Sequence, residues 1–174
     1  MTIKKNILTD EDVVRIARIS AVPAAAGAFK QTTYDTNLTI ERGVIWLILF
    51  IEFHASPATW DNTIAAGSEE TEKFQVTAAS ETVIKGADDN DVVCQYAQHR
   101  KRSAAIGAEV GPMWYVTDWP YVRNFARPLP YAGTSIYFGY QGSDVTGIGG
   151  ICRIGYVIKN VSDAFFFRIA QAML

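Results

Sequence analysis

The chain has 174 residues, a length that accommodates one domain with a terminal arm. Apolar residues make up 49% and charged residues 20%, which excludes a disordered charged tail. The 12% aromatic content with 13 Gly favours pleated β structure over a helical bundle. Sixteen basic against 18 acidic residues leave a net charge of −2, without the basic excess expected of a protein that coats nucleic acid.

In chain order, Thr9-Asp10-Glu11-Asp12 followed by VVRIARI predicts a short helix. Thr9 is its cap, the acids lie at the positive end of its dipole, and Val13, Ile16 and Ala17 share a face. Pro23 and the small residues after it end the pattern, so residues 1–27 are expected to form an N-terminal arm and 28–174 one domain. No apolar segment follows the lysines near Met1, so a secretory signal is not expected.

From Ala28 onward the period is two. AFKQTTYDTNLTIE predicts one or two strands around the turn residues Asp35-Thr36-Asn37. Arg42 to His54 contains GVIWLILFI, far short of the ~20 residues of a membrane helix and suited to a strand buried on both faces. KFQVTA (73–78) and ETVIK (81–85) are further strands, and Gly86 to Asp91 is a turn. VVCQYAQHRKR (92–102) and MWYVTD (113–118) follow, and the prolines at 120, 128 and 130 restrict the next stretch to an edge strand or a loop.

TSIYFGYQ (134–141) places Ile136, Phe138 and Tyr140 on one face, and ICRIGYVIKNV (151–161) points Cys152, Ile154, Tyr156 and Ile158 inward. Ser162-Asp163 can cap AFFFRIAQAML, where Phe166, Ile169, Ala170 and Met173 recur at helical spacing; an apolar final strand is the competing reading. About eight strands with no helices alternating between them indicate an all-β, antiparallel two-sheet sandwich, with short N- and C-terminal helices.

Catalytic patterns are missing from the sequence, and an enzyme is not expected. His54 and His99 are the only histidines, too few for a cupin-type metal site. Counting an EF-hand from Asp88 puts Val93 and His99 where Gly and Glu are required. Neither a phosphate loop, a dinucleotide fingerprint nor a Gly-x-Ser-x-Gly elbow occurs. Cys94 and Cys152 suit two buried reduced thiols, and no cofactor or metal is expected.

Two features remain. His99, Arg100, Lys101 and Arg102 form a basic cluster, either a solvated strand end or, repeated across an assembly, a contact for phosphates or acidic neighbours. Trp114, Tyr115, Trp119, Tyr121 and Phe125 crowd one segment, either an interface or ligand face or the closure of one end of the core.

The run FARPLPYAGTSIYFGYQ, a glycine-rich loop and GGICRIGYVIKNVSD resemble the closing strands of viral single jelly-roll coat proteins. Size, arm and strand count are similar to the small major capsid protein of tailless icosahedral viruses with vertical single jelly rolls and an internal membrane. The resemblance covers residues 28–161 and implies a jelly-roll sandwich with no catalytic residues and no cofactor. It implies a coat subunit of the virion that assembles in the host cytoplasm. Its partners would be copies of itself, a second coat protein and an internal membrane, with no specific nucleic-acid contact. Residues 1–27 and 113–131 would carry the contacts between subunits. The alternative is a ligand-binding β-sandwich, carbohydrate-binding or trimeric and tumour-necrosis-factor-like, with exposed Trp and Tyr residues as its binding face.

Overall fold

A computed structural model describes residues 12–38, 43–55, 67, 69–102, 113–115, 121–142 and 149–172. The strands are β1 (Arg15–Ala21), β2 (Phe29–Asp35), β3 (Val44–Ala55), β4 (Glu69–Thr77), β5 (Val92–Arg102), β6 (Met113–Tyr115), β7 (Tyr121–Tyr131), β8 (Ser135–Gly142) and β9 (Gly150–Asn160). One helix, α1 (Asp163–Ala172), follows them.

Two antiparallel sheets form, in the orders β1-β9-β3-β7 and β2-β8-β4-β5, the second extended at its edge by the three-residue β6. The pairings are nested: β1 with β9, β2 with β8, β3 with β7 and β4 with β5. Successive pairs fall alternately in the first and second sheet, as if one long hairpin with β4 and β5 at its tip had been wrapped around a core.

That core is built by alternation. Phe74 and Val76 of β4, Ile136, Phe138 and Tyr140 of β8, and Cys152, Ile154 and Tyr156 of β9 all face between the sheets, as their period-2 spacing predicts. Ile158, expected inward with them, is exposed near the end of β9. Trp46 stacks on Tyr156 with ring centroids 3.6 Å apart, and Phe53 stacks on Phe74 and Phe138 at 5.6 and 6.1 Å.

Strand β3 is covered on both sides. Trp46 and Ile48 enter the inter-sheet core, while Ile45 and Leu47 meet Phe166 and Ile169 of α1, together with Ala132 and Val157. The parity then changes. Ile48 pairs with Tyr156 but Phe50 pairs with Gly155, so Leu49 is the extra residue of a β-bulge. Beyond it Ile51 and Phe53 take the core positions. Phe50 now lies over Gly155, where a Cβ would overlap its ring.

The C-terminal segment is therefore a helix that forms a third layer on the first sheet. The Ser162 carbonyl accepts the amides of Phe165 and Phe166, and Asp163 carries negative charge into the first turn. Ala170 and Met173, placed on the same helical face from the sequence, have side chains outside the described residues.

Two local expectations are corrected. The predicted N-terminal helix is strand β1 over Arg15–Ala21, hydrogen-bonded to β9, with Ala17, Ile19 and Ala21 buried. The sequence VVRIARI satisfies both periods, and its β-branched residues suit the pleat once β9 is there to pair. Asp12 forms an ion pair with Lys159 at 2.6 Å.

ETVIK, predicted as a strand, is a loop over the outer face of the second sheet. Its backbone amides find side chains in place of a strand partner: Glu81 N–H donates to Gln31 Oε1 at 2.9 Å and Lys85 N–H to Gln75 Oε1 at 3.0 Å. The turn after it is as expected, closed by Asp89 N–H to the Gly86 carbonyl. So is the Asp35 turn, where Asn37 has φ of 55° and its N–H bonds Asp35 Oδ1. Strand β7, with Pro128 and Pro130, ends its sheet and among the described residues pairs only with β3, so the prolines' missing donors break no second ladder there.

Candidate interaction surfaces

The basic cluster and two of the five clustered aromatics fall on adjacent strands at the end of one sheet. His99 to Arg102 end β5, and β6 pairs with them in the register Arg100 with Tyr115, Lys101 with Trp114 and Arg102 with Met113. The sequence separates these groups; the antiparallel return of the chain makes them neighbours. His99 is half-buried, its Nδ1 3.1 Å from Thr71 Oγ1. Trp119 lies outside the described residues.

The other two aromatics turn toward the core. Tyr121, at the start of β7, stacks on Tyr96 of the opposite sheet at 4.2 Å and lies 6.0 Å from Phe53. Phe125 is partly buried against the same inter-sheet cluster. Both rings therefore pack against the inter-sheet core, and β6 is the last strand of the second sheet among the described residues.

A second surface was hidden in the residues expected to be helical. Val13 is 72% exposed and Ile16 61%, with Val14 and Val22 exposed beside them. Among the described residues β1 forms a ladder with β9 alone and stands at the end of its sheet, with these apolar side chains beside it, while the Thr32 hydroxyl of β2 donates to the Ser20 carbonyl at 2.8 Å. The period-2 placement of Ala17, Ile19 and Ala21 was the signal that would have found it. Phe165 and Phe167 of α1 are exposed as well.

Polar groupings have structural partners. Glu52 contacts His54 at 2.9 Å and Arg153, its register partner on β9, at 3.6 Å. The fully buried Glu72 carboxylate accepts the Tyr140 hydroxyl at 2.8 Å, with Gln98 opposite it in the ladder. Lys85 lies 3.2 Å from Glu81 and 3.5 Å from Asp89, and the bond to Glu81, above all, raises its pKa. Among the described residues no group of three His, Cys, Asp or Glu side chains is placed to hold a metal ion.

Cys94 and Cys152 are free and buried, as the sequence suggests. Burial raises the Cys94 thiol from 9.0 to about 11 and pushes Cys152 well up, helped by Cys94 and Glu52. Neither is a ready nucleophile. Ellman's reagent should therefore label neither thiol in the native protein at neutral pH and both after denaturation; fast native labelling of either would show an open core. The unfolded chain releases these protons from about pH 9 while the fold retains them. Their contribution is thus fully present below pH 9 and declines as pH rises through about 11. Urea midpoints measured across that range should fall.

No protein-family model matches the chain, and no curated protein is similar to it in sequence.

Proposed function

We propose that this chain is a structural virion protein, a coat subunit that self-assembles into capsomers of an icosahedral shell. The nested pairing of β1 to β9 supports reading the sandwich as a single jelly roll, an architecture used by viral coats and also by lectins and cupins. A fold does not choose among such roles. The observation that carries the choice is the end strand β1, which among the described residues forms a ladder with β9 alone, with Val13, Val14, Ile16 and Val22 exposed, a surface suited to burial against a neighbouring subunit. A net charge of −2 lets like copies pack closely. On this reading the subunit is assembled in the host cytoplasm. It contacts copies of itself and a second coat protein, with an internal membrane beneath.

Size-exclusion chromatography with light scattering, followed by negative-stain microscopy, tests the reading. The purified protein should form rings, sheets or shells, and Ile16→Lys should return it to monomer with its thermal transition intact, because Ile16 contributes little to the core. A wild-type protein that stays monomeric at high concentration overturns the coat assignment. Such a monomer retained on immobilised glycans would mark the ligand-binding alternative.

A further inference from the structure

The exposed strip on β1 has a definite chemistry. Ile16 and Arg18 alternate with the buried Ala17 and Ile19, so both stand on the outer face of the first sheet. Ile16 is in register with Gly155, over which the Phe50 ring lies, so apolar surface continues inward from the strand. Arg18 is in register with Arg153, and the neighbouring Glu52 carboxylate lies 3.6 Å from Arg153. Like charges side by side on a ladder oppose each other, and among the described residues Arg18 has no acidic partner. A group that covers this strip has to bring apolar contact and negative charge together.

The loop at 78–91, between β4 and β5, offers both. Val83 is 55% exposed there. Lys85 answers Glu81 and Asp89, while Asp88 and Asp91 have no basic partner among the described residues. The loop lies over the outer face of the second sheet, so it points away from the outer face of β1 in its own molecule. Yet both surfaces are at the same end of the sandwich. Arg15 pairs with Tyr156, whose ring stacks on Trp46, and Trp46 meets Tyr34. The ladder from the adjacent Thr33 runs through Tyr137 to Thr77, where the loop begins. Surfaces at one end but on opposite faces are joined between copies by rotation about an axis along the strands, the relation of neighbours in a ring. A symmetric β1-to-β1 contact would instead bring the arginines of both copies together.

We propose that copies of this chain assemble head to tail, the β1 strip of one copy covered by the 78–91 loop of the next, with Ile16 against Val83 and Arg15 and Arg18 facing Asp88 and Asp91. The contact rests on the coat-subunit reading and names what its β1 strip meets. Light scattering over a concentration series reads it. Arg15→Glu with Arg18→Glu, and Asp88→Lys with Asp91→Lys, should each raise the concentration needed for assembly at least about tenfold, with the thermal transition retained. An equimolar mixture should assemble like the wild type, because each variant then meets its complement in the other. If a reversed pair loses its thermal transition, Arg18→Gln and Asp88→Asn carry the test, each weakening assembly about threefold. A wild type that assembles while both reversed variants do so equally well, or a folded mixture that stays dissociated, would overturn this contact and leave the coat reading in place. Loss in the β1 variant alone would give the strip to a different occupant and overturn its pairing with the loop. A monomeric wild type overturns both.

Discussion

Trp46→Ala should lower the stability of the folded chain by about 4 kcal/mol, at the upper end of single-residue effects, and its thermal midpoint by on the order of 10 °C. The Trp46 ring is fully buried, stacked face to face on Tyr156 at 3.6 Å and tilted against Tyr34 at 6.0 Å. It stands on β3 where this strand pairs with both β9 and β7, so the cavity would open between three strands of the first sheet and the facing β2. Close neighbours on a fixed ladder relax little, and the lost packing is added to the lost transfer energy. Trp46→Phe should recover more than half of the loss, since the indole Nε1 has no hydrogen-bond partner to forfeit. Chemical denaturation with tryptophan-independent detection gives the comparison. A cost below about 1.5 kcal/mol for the alanine variant would mean that the two sheets do not close on this ring.

Phe166→Ala and Phe167→Ala should separate by at least 2 kcal/mol, although the residues are adjacent and identical. Phe166 is 1% exposed and packs against Ile45, Leu47, Ala132 and Val157, whereas Phe167 is 56% exposed. A ten-residue helix is marginal in isolation, so α1 depends on this docking for its existence. The Phe166 variant should lose about 3 kcal/mol and the slow hydrogen exchange of the α1 amides. The Phe167 variant should stay within about 0.5 kcal/mol of the parent. Equal costs for the two would contradict the helical phase of this segment. A stable Phe167→Ala variant that no longer assembles would assign the exposed ring to a subunit contact.

These expectations show where sequence reading was strong. Spacing alone puts Ile136, Phe138 and Tyr140 on one face, and all three are buried, because in a strand the side-chain direction follows from the pleat. Phe166 and Ile169 were paired on a helical face, and both meet the first sheet. The nine-residue run Gly43 to Ile51 indicated burial on both sides, and β3 lies between the inter-sheet core and α1. Local chemistry was enough in each case.

Reading failed where two local patterns agreed with the same residues. VVRIARI accommodates an amphipathic helix and a half-buried strand; the β9 ladder selects the strand. ETVIK alternates as a strand should, yet the Gln31 and Gln75 side chains capture its amides, and it lies over a sheet face where no ladder can form. Residues 83–86 of this loop also line one side of an open pocket over the second sheet. The aromatic cluster divided for a similar reason. Tyr121 found Tyr96 on the opposite sheet, and Trp114 entered the register of Lys101 at an edge. Proximity in sequence carries no information about which sheet a residue joins.

Sequence by itself determined that this chain is β-rich, which side chains of the last two strands share a face, that the prolines of residues 121–131 confine that stretch to an edge strand or a loop, and that a capped apolar segment ends the described fold. Only the tertiary structure decided the strand order, which strands end each sheet, the change of face at Leu49 and the pairing of Gln75 with Gln95. The division has a physical basis. Alternation is a property of neighbouring residues and is written into any window of six, whereas pairing joins residues as far apart as Arg15 and Tyr156, and its register follows from which apolar faces can be buried together.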